Sequence, residues 1–236
     1  MNPSYLFWGL VALLTFAGVW RFSRNPAGHL RRLVFALIHV LYRLRFQGRR
    51  HVPQRGPALV VCNHVSFMDA LVMGGGSPRP LRFLMDRPIY ESPWLNWLFR
   101  LVGAIPVESD RRDPGNVRRA LGEVSRALRN GDVVMLFPEG RLTSTGEINT
   151  FRRGLDLILA KDPVPVVPAA MSGLWGSWTS HCHGKALAHV PRRCRARVAL
   201  YFGEPMQPGE ATRQVLEARV RALKAEADRW VESGRL

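Results

Sequence analysis

The segment CNHVSFMDA, residues 62 to 70, sets His64 and Asp69 five positions apart at the end of the apolar run ALVVC. An imidazole can take up a proton, and a carboxylate on its other nitrogen fixes the tautomer and stabilises the imidazolium as it forms. The spacing alone is weak. On one continuous helix five residues turn the chain by about 500°, which leaves the two side chains about 140° apart. The pair can meet only if His64 lies in a loop after a strand at 58–62 and Asp69 in the first turn of the next helix, with Ser66 a candidate N-cap. A base so placed needs no covalent nucleophile when the substrate brings its own hydroxyl. Ser66 as a nucleophile is disfavoured, because a strained G-x-S-x-G elbow is absent.

A second constellation is FPEGR, Phe137 to Arg141. Glu139 is unsuited to a core, Gly140 lets the backbone approach a ligand, and Arg141 is placed to meet an anion. The bland alternative is a turn bent by Pro138 and Gly140, with Glu139 paired to Arg141. Arg111 and Arg112 in ESDRRD, and Arg152 and Arg153 in FRRG, add guanidinium forks suited to phosphate oxygens. Most arginines in so basic a chain are simply solvated.

These motifs need a scaffold, and from Pro53 onward short apolar runs alternate with amphipathic segments, as in a chain of alternating strands and helices. Residues 58–62, 81–85, 104–107, 132–137, 164–171 and 197–203 read as strands. Val117, Ala120, Leu121, Val124, Ala127 and Leu128 form one helical stripe that ends at Asn130-Gly131, and Leu216, Val220, Leu223, Ala227 and Trp230 form another. The reading is one α/β domain over residues 51–236. In open α/β sheets chemistry gathers beyond the carboxyl ends of strands, where both motifs fall.

The charge is uneven. Of 236 residues 34 are Lys or Arg and 18 are Asp or Glu, yet no acidic residue precedes Asp69 while nine arginines lie between Arg21 and Arg55. Residues 5–20 are nearly all apolar, and as a helix they would measure roughly 24 to 28 Å, just short of a bilayer's hydrocarbon thickness. HLRRLVFALIHVLYRLRF, residues 29–46, reads as a helix lying among lipid headgroups with its arginine heads snorkelling outward. Residues 1–50 are therefore expected to be membrane-associating helices, with the rest on the cytoplasmic side if the first helix spans. Two ordinary buried helices are the plainer alternative. Nucleic acid is an unsuitable partner, because Phe7, Trp8, Trp20, Phe35 and Tyr42 fall in apolar segments and form no basic-aromatic stacking platform. Cys62, Cys182 and Cys194 read as ordinary thiols, and His181-Cys182-His183 lacks the second ligand cluster a metal site needs.

Taken in order, NHVSFMD, GAIPV at 103–107, FPEGR and VPVVP at 164–168 resemble the four sequence blocks of the glycerolipid acyltransferase family, in particular bacterial lysophosphatidic acid acyltransferases. The resemblance covers about residues 50–205, with the blocks within 58–173. It implies a mixed sheet flanked by helices behind an N-terminal two-helix membrane motif, at the bacterial inner membrane. It further implies transfer of an acyl group from acyl-acyl-carrier protein or acyl-coenzyme A to the hydroxyl of a lysophospholipid, with no metal or redox cofactor. His64 and Asp69 match the catalytic pair. Glu139, Gly140 and Arg141 match the block associated with glycerol phosphate, and Asn63, Ser66, Arg111 and Arg112 are further candidates for substrate contact. Two departures stand out: Glu108-Ser109-Asp110 separates Val107 from Arg111, and Arg141 directly follows Gly140. With GLWGSW at 173–178 they resemble a branch whose acyltransferase domain is often joined to transporter or acyl-activating domains, which leaves another lysophospholipid as the alternative acceptor. The rival classes are an acyl-lipid hydrolase and a non-catalytic module binding anionic lipid or nucleic acid.

Overall fold

The structure, a computed structural model, describes Trp8, Thr15 and residues 23–108, 113–177, 179–180, 182 and 195–234. Its strands are β1 (Tyr42–Gln47), β2 (Ala58–Cys62), β3 (Leu81–Asp86), β4 (Ile105–Val107), β5 (Val133–Leu136), β6 (Val166–Ser172) and β7 (Ala196–Phe202). They form one seven-stranded sheet in the order β1-β7-β6-β2-β5-β3-β4. Every ladder is parallel except that of β6 with β7. The helices are α1 (Pro26–Leu41), α2 (Asp69–Gly76), α3 (Arg87–Tyr90), α4 (Asn96–Leu101), α5 (Pro114–Arg129), α6 (Gly154–Lys161) and α7 (Arg213–Glu232). The expected mixed sheet flanked by helices is thus found, and the six strands read from the sequence all form.

The central strands are unbroken apolar runs because helices cover both faces. Alternate side chains of β2 divide between two cores: Val60 and Cys62 join Ile38, Val72 and Met73 on the face carrying α1 and α2. Leu59 and Val61 join Val124, Leu128, Leu155 and Leu216 on the face carrying α5, α6 and α7. α5 begins on an Asp113 cap, whose carboxylate accepts the Gly115 N–H at 2.8 Å, and stops at Asn130 before Gly131. All five strands β2 to β6 point the same way, so the loops after them share one end of the sheet.

One expectation is corrected. The helix read over 29–46 ends at Leu41, and residues 42–47 become β1, an edge strand paired with β7. YRLRFQ alternates with a period of two. Tyr42, Leu44 and Phe46 turn inward while Arg43, Arg45 and Gln47 face out, as suits a charged sheet edge. The N-terminal unit therefore cannot run to residue 50, because β1 belongs to the α/β domain. Apart from Trp8 and Thr15, the apolar segment 5–20 lies outside the described residues. Among those described, no helix is long and apolar enough to cross a membrane.

α1 rests closely on α2 because α2 ends in three glycines. A Cβ on Gly75 would sit 2.7 Å from Ile38 Cδ1 and 3.4 Å from the Phe35 backbone, so the absence of a side chain sets the approach. Gly75→Val should lower the unfolding free energy in urea by about 1–3 kcal/mol through overpacking. Unchanged stability would show that α1 does not depend on this contact.

Candidate active site

β2 ends at Cys62 and the chain leaves the sheet through Asn63. That side chain continues the ladder as a peptide would: its Oδ1 accepts the Met171 N–H at 2.8 Å and its Nδ2 donates to the Met171 carbonyl at 3.0 Å. His64 follows in a loop and Asp69 opens α2, as the meeting of the two side chains requires. Asp69 Oδ2 lies 2.8 Å from His64 Nδ1 and accepts the backbone N–H groups of Val65 at 2.6 Å and Ser66 at 2.9 Å. The carboxylate is fully buried, whereas the imidazole remains one-fifth exposed. A carboxylate can only accept, so Nδ1 carries the hydrogen and Nε2 is left with its lone pair. Nε2 has no hydrogen-bond partner among the described residues. The Phe137 ring stacks on the imidazole with centroids 4.0 Å apart and holds its plane.

Glu139 enters after β5, buried to 1% exposure. Its Oε1 accepts the His64 N–H at 2.7 Å, and its Oε2 accepts both the backbone N–H of Asn149 at 2.7 Å and that residue's Nδ2 at 2.8 Å. The Thr143 N–H in turn donates to the His64 carbonyl at 3.0 Å. His64 is thereby clasped on both sides of its peptide backbone by the loop that FPEGR begins. Burial pushes the Glu139 carboxyl above its ordinary range, while the donors from Asn149 and His64 pull the other way. Arg152, from FRRG, donates from Nε to the Glu139 carbonyl at 2.8 Å.

The substrate contacts expected of Asn63, Ser66 and Glu139 are corrected by these bonds, because all three side chains are buried and turned inward. Ser66 is not the N-cap either. Met68 is, while the Ser66 hydroxyl lies 2.6 Å from Thr179 Oγ1 and accepts the Met68 N–H at 3.1 Å. A buried hydroxyl so engaged is poorly placed as a nucleophile. Cys62 is no better, since burial and then the Asp69 and Glu139 carboxylates push its thiol well above the ordinary range. Gly140 takes the left-handed conformation, with φ +64°, which a side chain would strain. Arg141 is exposed and joins no ion pair among the described residues; its Nη2 lies 3.5 Å from Asn149 Oδ1. The alternative pairing of Glu139 with Arg141 is not formed. Arg111, Arg112, His181, His183 and Cys194 lie outside the described residues. Sequence reasoning missed Asn149, Thr143 and Thr179, which sit in ordinary loop composition and carry no motif.

A family model described as Acyltransferase matches residues 43–172, a span that starts in β1 and ends with β6 and holds every site residue named above from Asn63 to Asn149. The chain belongs to the acyltransferase family. Among its relatives, the chloroplastic 1-acyl-sn-glycerol-3-phosphate acyltransferase LPAT1 of Arabidopsis thaliana is 30% identical over 139 residues, 58% of this chain and 38% of that protein. The chain thus spans about two fifths of the length of that plant relative. The 1-acyl-sn-glycerol-3-phosphate acyltransferase of Bacillus subtilis is 22% identical over 181 residues, 76% of this chain and 82% of that protein. The crystal structure of the 1-acyl-sn-glycerophosphate acyltransferase PlsC of Thermotoga maritima has a TM-score of 0.65 at 22% identity, covering 97% of this chain and 93% of that one. That likeness establishes the shared fold.

The clasp gives a prediction. Glu139→Gln keeps the shape but turns an amide N–H₂ toward a backbone donor, which leaves a buried group unpaired at a cost of about 1–3 kcal/mol. Thermal stability should fall, and turnover should drop at least roughly tenfold as His64 loses its position. Wild-type values for both would contradict the role given to Glu139.

Proposed function

We propose that this acyltransferase moves an acyl group from acyl-acyl-carrier protein or acyl-coenzyme A to the free hydroxyl of lysophosphatidic acid, giving phosphatidic acid. The observation that carries the reading is the bond between His64 Nδ1 and the buried Asp69 carboxylate, with the ring's other nitrogen unpaired among the described residues and the imidazole reaching the surface. The similarity to 1-acyl-sn-glycerol-3-phosphate acyltransferases of plant and Bacillus origin supports the acceptor.

His64 Nε2 takes the proton from the acceptor hydroxyl as its oxygen attacks the thioester carbonyl. The imidazolium that results is stabilised by Asp69 Oδ2, itself held by two backbone N–H groups. When the tetrahedral intermediate collapses, the C–S bond breaks and the proton passes from Nε2 to the departing thiolate. Base, ester and thiol are then balanced, with no covalent enzyme intermediate. Backbone N–H groups near the strand ends stabilise the oxyanion. Arg141, together with Arg111 or Arg112, holds the lipid phosphate in this reading. The chemistry requires neither a metal nor a redox cofactor.

The apolar segment 5–20 and the arginines after it attach the protein to the inner membrane of a bacterium with the α/β domain on the cytoplasmic side. Removing residues 1–22 spares α1 and β1 and should weaken membrane retention in fractionation; unchanged partitioning would contradict this anchor.

The reading is tested by assaying the purified protein and His64→Ala against a panel of lysophospholipids with both classes of donor. Wild type should form diacyl product fastest from lysophosphatidic acid. His64→Ala should be slower by roughly a hundredfold or more with its circular dichroism unchanged. A fully active variant would sink the mechanism, and free fatty acid without diacyl product would establish a hydrolase instead.

A further inference from the structure

The connection from β3 to β4 forms a knuckle of α3, a turn and α4 on which two indoles project into solvent. Trp94 is 85% exposed and Trp97 63%. Ile89 and Leu95 beside them are also exposed. The knuckle is built rather than loose: Asn96 Nδ2 donates to the Tyr90 carbonyl at 2.7 Å, and the Tyr90 and Phe99 rings stack behind it. Trp97 Nε1 donates to the Trp94 carbonyl at 3.0 Å, which satisfies the polar edge of that indole and leaves its apolar surface outward. Ordered, exposed tryptophans with leucine and isoleucine around them have no role in this core, so the patch points to a surface that covers it.

Topology says where that surface lies. The knuckle follows β3 at the same end of the sheet as the loop that carries His64 after β2. β3 and β4 close one edge of the sheet, and β1 closes the other. β1 is parallel to β7, which is antiparallel to β6, so β1 starts at that same end. The last turns of α1, which lead into it, carry the exposed Leu37, Val40 and Leu41. Apolar groups therefore stand at both edges of one end of the molecule, with His64 between them. The charge matches an anionic plane: the chain carries a net +16. On the knuckle Glu91 is paired with Arg87 at 3.0 Å, and the exposed Arg100 joins no ion pair among the described residues.

We propose that the α3–α4 knuckle is a second membrane contact, in which Trp94 and Trp97 enter the headgroup layer of an anionic bilayer at the sheet edge opposite α1. The enzyme then stands on two supports, and the loop carrying His64 faces the plane in which a lipid hydroxyl lies. Tryptophan suits such a layer because its large apolar ring sits among acyl chains while its polar edge remains satisfied. The orientation rests on the acyl-lipid reading above; the contact itself is measurable without turnover.

The test mixes the full chain with vesicles of phosphatidylglycerol and phosphatidylethanolamine that carry brominated acyl chains. The emission of the two indoles is taken as the difference between wild type and Trp94→Phe/Trp97→Phe. It should shift to the blue, lose intensity to the bromines and become shielded from aqueous acrylamide. Trp94→Ser/Trp97→Ser should keep its activity on a short-chain, water-dispersed lysophospholipid and lose at least roughly tenfold on substrate embedded in a bilayer. The proposal is overturned if the difference emission stays open to acrylamide while the protein sediments with the vesicles, or if wild type does not bind them. An enzyme inactive on every lysophospholipid but with quenched indoles would overturn the acyl-transfer reading and leave this contact standing.

Discussion

Asp69 Oδ2 accepts three hydrogen bonds at once, from the His64 ring and from the N–H groups of Val65 and Ser66. The two backbone bonds fold the turn between β2 and α2 around the carboxylate, and the third fastens the imidazole to that turn. Placement of the imidazole and formation of the turn are therefore one event. The geometry also places a negative group in the first turn of α2, where the helix dipole favours it. Burial makes the arrangement strict, because a carboxylate without water must find its donors in the protein.

Around this centre the fold supplies two further fastenings. Asn63 carries the β2–β6 ladder one step past the strand, so the loop leaves the sheet from a fixed point. Glu139 ties the His64 backbone to Asn149 across the loop that follows β5. The result is a histidine fixed through its ring, its backbone N–H and its backbone carbonyl, with one ring nitrogen left for chemistry. The neighbouring hydroxyl and thiol of Ser66 and Cys62 are turned to structural use by burial.

How far these features were legible in the sequence depends on how local their causes are. For His64 and Asp69 the spacing alone was weak; helical geometry set the two across a turn, and the family resemblance of four blocks in order implied their pairing. The strands β2, β5 and β6 stood out because burial on both faces makes them continuous apolar runs. β1 was hidden: six alternating residues trail a longer apolar helix, and the arginines that decorate a sheet edge resemble those that line a lipid-facing helix. Glu139 was recognised as important but its partners were not legible, since its donors lie 75 and 10 residues away, in the His64 backbone and in the backbone and side chain of Asn149. Asn149 and Thr179 act through tertiary contacts alone and leave no trace in local pattern.

The central claim is that His64 activates the lipid hydroxyl directly, without an acyl-enzyme. The most direct measurement is the intact mass of the protein after rapid mixing with an acyl thioester in the absence of acceptor. The account predicts an unmodified chain, with diacyl product appearing only once lysophosphatidic acid is added. A protein heavier by one acyl group, formed at a rate that can support turnover, would contradict it.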